Sequence, residues 1–256
     1  MLCYDMTNCH EEGASMKAVL IIQARMGSTR LPGKVLRPLG RTVVLDYVVS
    51  RCRTVVDANN TIVATSTLPG DEPIRTWCRS RGVPWFAGSE DDVLARYYQC
   101  ARPHRPDYVI RVTSDCPFVD NRLGARALAL ATQCHTDLVA PACDLPRGLW
   151  MEVVAFSALE RMNVVGQEPR HREHVTYYAT EFPGEFSWAV LPIEQELCRP
   201  ELRITLDTED DYSLCQTIAA AFPDQLLVPS AQIVSYLASH PEIAALNAHI
   251  EQKPVR

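Results

Sequence analysis

Short apolar runs alternate with helix-spaced segments through the first half of the chain. Lys17–Gln23 is almost continuously apolar, the pattern of a strand buried on both faces, and it empties into a loop rich in glycine, proline and basic residues, Ala24–Gly40. Thr61–Ala64, Val83–Phe86, Tyr108–Val112 and Asp137–Ala140 predict further strands. Apolar positions recur at helical spacing over Thr42–Val55, and helices are predicted over Asp71–Arg81, Asp91–Ala101 and Asn121–Thr132, with Ser89 as the N-cap of the third of these four. Strand–helix alternation of this kind predicts a mostly parallel sheet covered by helices on both sides. Ligands bind at the carboxyl ends of the strands in such sheets. The loops after Gln23 and Val112 are therefore the places to look for chemistry.

The rhythm changes after about residue 141. Leu149–Phe156 and Phe186–Leu191 read as strands flanking a helical segment at roughly Arg170–Thr180. Leu202–Leu206 reads as one more buried strand, followed by the acidic run Asp207–Asp211 and a helix over Thr208–Ala219; one or two helices are predicted from about Pro229. With no internal repeat and no low-complexity linker, the expectation is a single domain over 16–256, with a subregion inserted at about 141–192. Residues 1–15 lack a basic segment followed by an apolar one, so they are not a secretion signal; they read as a disordered leader, and Met16 would make a natural start.

Composition narrows the classes. Hydrophobic residues are 47% and charged residues 22% of the chain, as in an ordinary globular protein, and the net charge is −6. No block of consecutive basic residues and no apolar run near the ~18 of a membrane span is present, so nucleic acid and membrane are not expected partners. The ten cysteines include no CxxC pair, which disfavours zinc ribbons and thioredoxin-type sites. They are read as reduced, mostly buried thiols of a cytoplasmic protein. Cys3, Cys9 and His10 do not have the spacing of a metal site.

The loop Gln23-Ala24-Arg25-Met26-Gly27-Ser28-Thr29-Arg30-Leu31-Pro32-Gly33-Lys34 carries three positive charges, two glycines and no acid. Glycines let a backbone approach a ligand and expose its N–H groups, while lysine and arginine supply counter-charge, so the segment suits a triphosphate. It is not a P-loop: five residues separate Gly27 from Gly33, and Val35 follows the lysine. The dinucleotide fingerprint G-x-G-x-x-G is absent as well.

IIQARMGSTRLPGKVL resembles the opening of the cytidylyltransferases that make CMP-activated sugars, roughly I-x-A-R-x-x-S-x-R-L-P-x-K. GSEDDVLARY, RVTSDCPFVD, REHVT and LRITLDTEDDY are similar, in the same order, to the spore-coat polysaccharide (SpsF-like) branch, so the likeness spans about residues 17–215. The resemblance implies a Rossmann-like three-layer α/β/α nucleotidyltransferase fold, a homodimer, and transfer of CMP from CTP to an acidic sugar, sugar phosphate or phosphonate with release of pyrophosphate. It implies that Lys34 and Arg25 hold the triphosphate as catalytic groups, that Gln23, Ala24, Gly27 and Ser28 complete the nucleotide site, and that the Ser89 loop lies near the nucleoside.

Nucleotidyl transfer needs charge neutralised on the α-phosphate, for which Mg2+ with basic side chains is the usual means. Magnesium favours one or two carboxylates plus phosphate oxygens and waters. Asp115 and Asp207, each just past a predicted strand, match the metal-binding positions of the resemblance; a turn aspartate and a helix N-cap are the competing readings. Glu90-Asp91-Asp92 reads better as acids complementing a helix N-terminus than as a D-x-D metal site. On the acceptor side the expected residues are Arg111, Glu152, Arg172, Glu173 and His174, with His171 and His174 as possible general bases. The competing functions are a glycosyltransferase using a nucleotide sugar and a non-catalytic nucleotide-binding subunit.

Overall fold

A computed structural model describes residues 16–251. Among the described residues nine strands form a seven-stranded sheet and a two-stranded hairpin. The main sheet uses β1 (Ala18–Gln23), β4 (Thr61–Ser66), β5 (Trp85–Gly88), β6 (Tyr108–Thr113), β7 (Leu138–Pro141), β8 (Glu152–Ala155) and β9 (Trp188–Leu191), in the order β5-β4-β1-β6-β8-β7-β9. Only β8 runs against its neighbours. The hairpin pairs β2 (Pro38–Leu39) with β3 (Thr42–Val43).

The order explains where a ligand can sit. From β1 the chain steps to β4 and then β5 on one side, and returns to lay β6 on the other. The crevice between β1 and β6 at their carboxyl ends is thus a topological switch point. Val19–Ile22, Val63, Ala64, Val109 and Ile110 are buried almost completely, as strands covered on both faces require.

Helices α1 (Val44–Cys52), α2 (Glu72–Arg81), α3 (Val93–Ala101), α4 (Asn121–Cys134) and α5 (Phe156–Val165) pack on this sheet in a three-layer α/β/α arrangement. Helix α4 lies along β6 to β9, whereas α3 and α5 touch each other. Two short helices follow, α6 (Pro169–Glu173) and α7 (Tyr177–Glu181), then α8 (Glu209–Ala221), α9 (Ser230–Ser239) and α10 (Pro241–Ala244). None is long and apolar enough to cross a membrane. Segment 141–192, expected as an insertion, contributes β8 and β9 to the main sheet; the leader 1–15 and Cys3, Cys9 and His10 lie outside the described residues.

Several local expectations are corrected. Leu202–Leu206 is buried throughout but is no strand of the sheet: it makes one isolated bridge, Arg147 with Arg203, and its other backbone partners are loop groups such as the Asp115 carbonyl. The N-cap of α3 is Asp92, which accepts from Ala95 N at 2.8 Å, while the Ser89 hydroxyl accepts from Asp92 N one turn earlier. Arg170–Thr180 divides into α6 and α7, and α5 was not expected.

The cysteine reading is also corrected, because Cys143 and Cys198 form a disulfide. Parallel strands β7 and β9 end together, with Pro141 beside Leu191, so the two loops that leave them start side by side. That proximity is tertiary and has no trace in the spacing of 55 residues. Cys52, Cys78, Cys100 and Cys215 are buried free thiols, as expected. Reduction of the bridge, or Cys143→Ser, is expected to lower stability by about 2–4 kcal/mol. Thermal melting with and without reductant checks this; identical midpoints would show that the bridge restrains neither loop.

Candidate functional site

The loop after β1 is folded by its own side chains. The carboxylate of Asp71 is buried and accepts from Met26 N at 2.7 Å and from Ser66, which ties the loop to the end of β4. The Ser28 hydroxyl accepts from Leu31 N at 3.2 Å, and Ser28 N donates to the Met26 carbonyl at 2.9 Å. The Ser28 N–H is thus engaged inside the loop, while Ser28 itself lines the cavity described below. Gly33 turns the chain at φ +68°, a conformation that favours glycine, and donates to Met26 O at 3.0 Å. Lys34 then opens a short 3-10 turn over Lys34–Leu36 with its side chain directed inward.

That inward direction creates the main feature of the site. Lys34 Nζ lies 3.0 Å from Asp115 Oδ2, 2.8 Å from Asp207 Oδ1 and 2.9 Å from the Leu206 carbonyl. Lys34 is 8% exposed. Burial alone would push its ammonium pKa down, but the two carboxylates outweigh that and the net shift is upward. Burial likewise opposes ionisation of Asp115, and Lys34 with the hydrogen bonds to its carboxylate brings its pKa below the usual range. Asp115 follows the end of β6, and Asp207 precedes α8, whose N-cap is Thr208 in a capping box with Asp211. The N-cap alternative for Asp207 is thus taken by its neighbour, which leaves the Asp207 carboxylate to the crevice.

Register sets a second pair. Antiparallel β8 places Glu152 opposite Arg111 of β6, and Arg111 Nη1 meets Glu152 Oε1 at 2.5 Å while Nη2 donates to Gln23 Oε1 at 3.3 Å. Thr176 donates to the other Glu152 oxygen. Burial weighs against the Arg111 charge, Glu152 restores it, and the net pKa shift is upward.

Two adjoining cavities open over these groups. One, of about 660 Å³, is lined by Gln23, Ala24, Arg25, Gly27, Ser28, Arg30 and Lys34 of the basic loop together with Glu90, Asp115, Arg172, His174 and Asp207 among others. The other, of about 1340 Å³, shares Gln23, Arg30, Arg111, Asp115, Glu173, His174 and Asp207 and extends over Arg147, Trp150 and Glu152. The residues predicted from separate parts of the chain are thus brought together.

Exceptions are informative. Ser89 does not line either cavity; its carbonyl accepts from Arg96, and Glu90 to Asp92 take its place on the wall. Arg25 faces Glu90 at 3.9 Å. Arg172 is engaged by Asp92 at 2.5 Å and by the Asn163 carbonyl at 3.0 Å, which fixes α6 against the start of α3. His171 is buried, with Nε2 2.6 Å from Glu181 Oε2, so it lies off the cavities and only His174 of the two candidate bases lines them.

Arg30 and Arg203, both absent from the expected set, reach Asp207 Oδ2 at 3.3 and 3.0 Å. Arg30 was legible as part of the basic loop; Arg203 sat in what read as an apolar strand. Cys116, beside Asp115, has its thiol pKa pushed up to about 12 by burial, which disfavours the thiolate.

Gly148 shapes the second cavity. At φ +102°, a Cβ on it would lie 2.8 Å from the Ile204 carbonyl oxygen and 2.9 Å from its carbon. Gly148→Ala is expected to lose roughly 1–3 kcal/mol, since strained backbone and a clash with main chain coincide. Urea unfolding measures it, and a change within about 0.5 kcal/mol would show that the loop relaxes around the methyl group.

A basic glycine-containing loop after the first strand, facing two acids across the switch point of a doubly covered sheet, is the arrangement of a nucleotidyltransferase-type α/β protein. The family model described as Cytidylyltransferase matches residues 19–217, and the chain belongs to that family. It is 34% identical over 234 residues to the spore coat polysaccharide biosynthesis protein SpsF of Bacillus subtilis, covering 88% of this chain and 96% of that one. It is 35% identical over 241 residues to an uncharacterized protein of Methanocaldococcus jannaschii, covering 94% and 98%. Among solved structures, a cytidylyltransferase from Leptospira borgpetersenii superposes with a TM-score of 0.83 at 27% identity, covering 93% of this chain and all (100%) of that one.

Proposed function

We propose that this chain transfers CMP from CTP to an acidic sugar, sugar phosphate or phosphonate and releases pyrophosphate. The observation that carries the proposal is the convergence of Lys34, Asp115 and Asp207 in the lining of a cavity that the basic loop also lines. Membership of the cytidylyltransferase family supports the reaction class, and the likeness to SpsF supports an acceptor used in polysaccharide synthesis.

Asp115 and Asp207 fit a magnesium ion. Their oxygens already converge on one cation, the Lys34 ammonium, and carboxylate oxygens suit a hard ion that retains waters and phosphate ligands. Among the described residues no three potential ligands converge, so nucleotide oxygens and water would complete the shell. When bound, the ion would neutralise charge on the phosphates.

The remaining work falls to the chain. Arg25, Arg30 and the Gly27 region line the first cavity, where a triphosphate would lie, and Lys34 supplies a buried positive charge beside both acids for the charge that develops on it. Arg111, held by Glu152 and Gln23, and Glu173 and His174 line the second cavity, where the acceptor would lie. His174, which lines both cavities, would be the group to accept the proton of the attacking hydroxyl.

Pyrophosphate release with each of four nucleoside triphosphates, with magnesium and a panel of acidic sugars and phosphonates, tests the reading. Release with CTP alone, abolished by EDTA, is expected. Tight CTP binding without release from any pair would favour a binding subunit, and no CTP binding would overturn the assignment of the basic loop.

A further inference from the structure

The Asp207 carboxylate is held by a buried network whose outer member lies 40 residues further along the chain. Asp211 accepts at Oδ1 from Arg203 Nε at 2.8 Å and at Oδ2 from the backbone N–H groups of Asp207 and Thr208 at 2.9 and 3.1 Å. Arg203 Nη2 bridges the two acids, 3.1 Å from Asp211 Oδ2 and 3.0 Å from Asp207 Oδ2. Asp207 therefore receives both its backbone direction and one side-chain partner from this pair.

Asn247, beyond α10, closes the network. Its amide nitrogen donates to Asp211 Oδ1 at 2.7 Å and to the Arg203 carbonyl at 3.0 Å. Both partners are acceptors, so the amide orientation is fixed by chemistry, since only the NH2 end can donate twice. Asn247 is 1% exposed and Asp211 0%. Without the Asn247 amide, Asp211 Oδ1 and the Arg203 carbonyl each lose a buried donor, and the Arg203–Asp211 pair loses the contact that fixes its place against Asp207. Asn247 also lies outside residues 19–217, the part matched by the family model.

We propose that Asn247 is a positioning residue of the site: through Asp211 and Arg203 it holds Asp207 in the orientation that faces Lys34 and Asp115. The inference rests on the proposed role of Asp207 as a metal ligand. Outer partners of a ligand that are lost in this way typically cost 10–100-fold in metal affinity.

The test uses the full chain with CTP and no acceptor, so that nothing turns over, and titrates Mn2+ by electron paramagnetic resonance. Asn247→Ala is expected to weaken Mn2+ binding about tenfold or more, with CTP binding in the absence of metal little changed. Asp207→Asn is expected to weaken Mn2+ binding as well, and adding Asn247→Ala to it should cause no further loss, because both act through one carboxylate. Should Asn247→Ala not fold, Asn247→Ser, which retains one donor, carries the test with an intermediate loss. Unchanged Mn2+ binding in folded Asn247 variants, or losses that multiply, would overturn the positioning role while leaving the proposed function intact. Mn2+ binding insensitive to Asp207→Asn would overturn both.

Discussion

Lys34→Met, which keeps most of the stem and removes the charge, is expected to lower turnover by about two or more orders of magnitude, the scale seen when one charge-stabilising donor is lost. The reason lies in geometry. Lys34, the last residue of the basic loop, holds the point where Asp115 and Asp207 converge and is the cation nearest to both acids. The same substitution leaves those acids without the ammonium between them, so Mn2+ binding in the absence of nucleotide should tighten as turnover falls. That opposed pair of changes separates the electrostatic role from simple unfolding, which would weaken both. Single-turnover pyrophosphate release and a Mn2+ titration measure them, and a near-wild-type rate in the folded variant would remove Lys34 from the catalytic set.

Asp115→Asn should cost turnover on a similar scale, about two orders of magnitude or more. An amide preserves shape but provides one neutral oxygen where a carboxylate faced the cation, and magnesium strongly prefers charged oxygen ligands. Asp207 would remain, supported by Arg30 and Arg203, so residual activity should demand far more magnesium. A magnesium titration at saturating CTP distinguishes this from loss of CTP binding. Magnesium dependence identical to wild type would mean that Asp115 shapes its loop and holds no metal.

Much of the site was legible because its signals are local. The basic loop compresses three cations and two glycines into twelve residues, and Asp115 and Asp207 each follow a buried apolar run. The first four strands of the main sheet were legible for the same reason: continuous apolar runs bounded by turns admit few other readings. Local signals also misled. Leu202–Leu206 has the apolar pattern of a central strand, but the Pro146–Gly148 loop and Asp115 take its backbone groups instead of a sheet neighbour. Helix α5 had a usable signal in Ala158, Leu159 and Met162, all buried at helical spacing.

By itself the sequence determined most of the order of strands and helices, the mostly parallel character of the sheet, and which loop offers positive charge to a ligand, since each depends on residues a few positions apart. The tertiary structure alone decided which distant groups meet. It set Lys34 between two acids 81 and 173 residues away, put Glu152 opposite Arg111 through one antiparallel strand, joined Cys143 to Cys198, and seated Asn247 against Asp211. Such pairings follow from strand order and register, which are fixed by packing the whole core at once, and no local pattern encodes them.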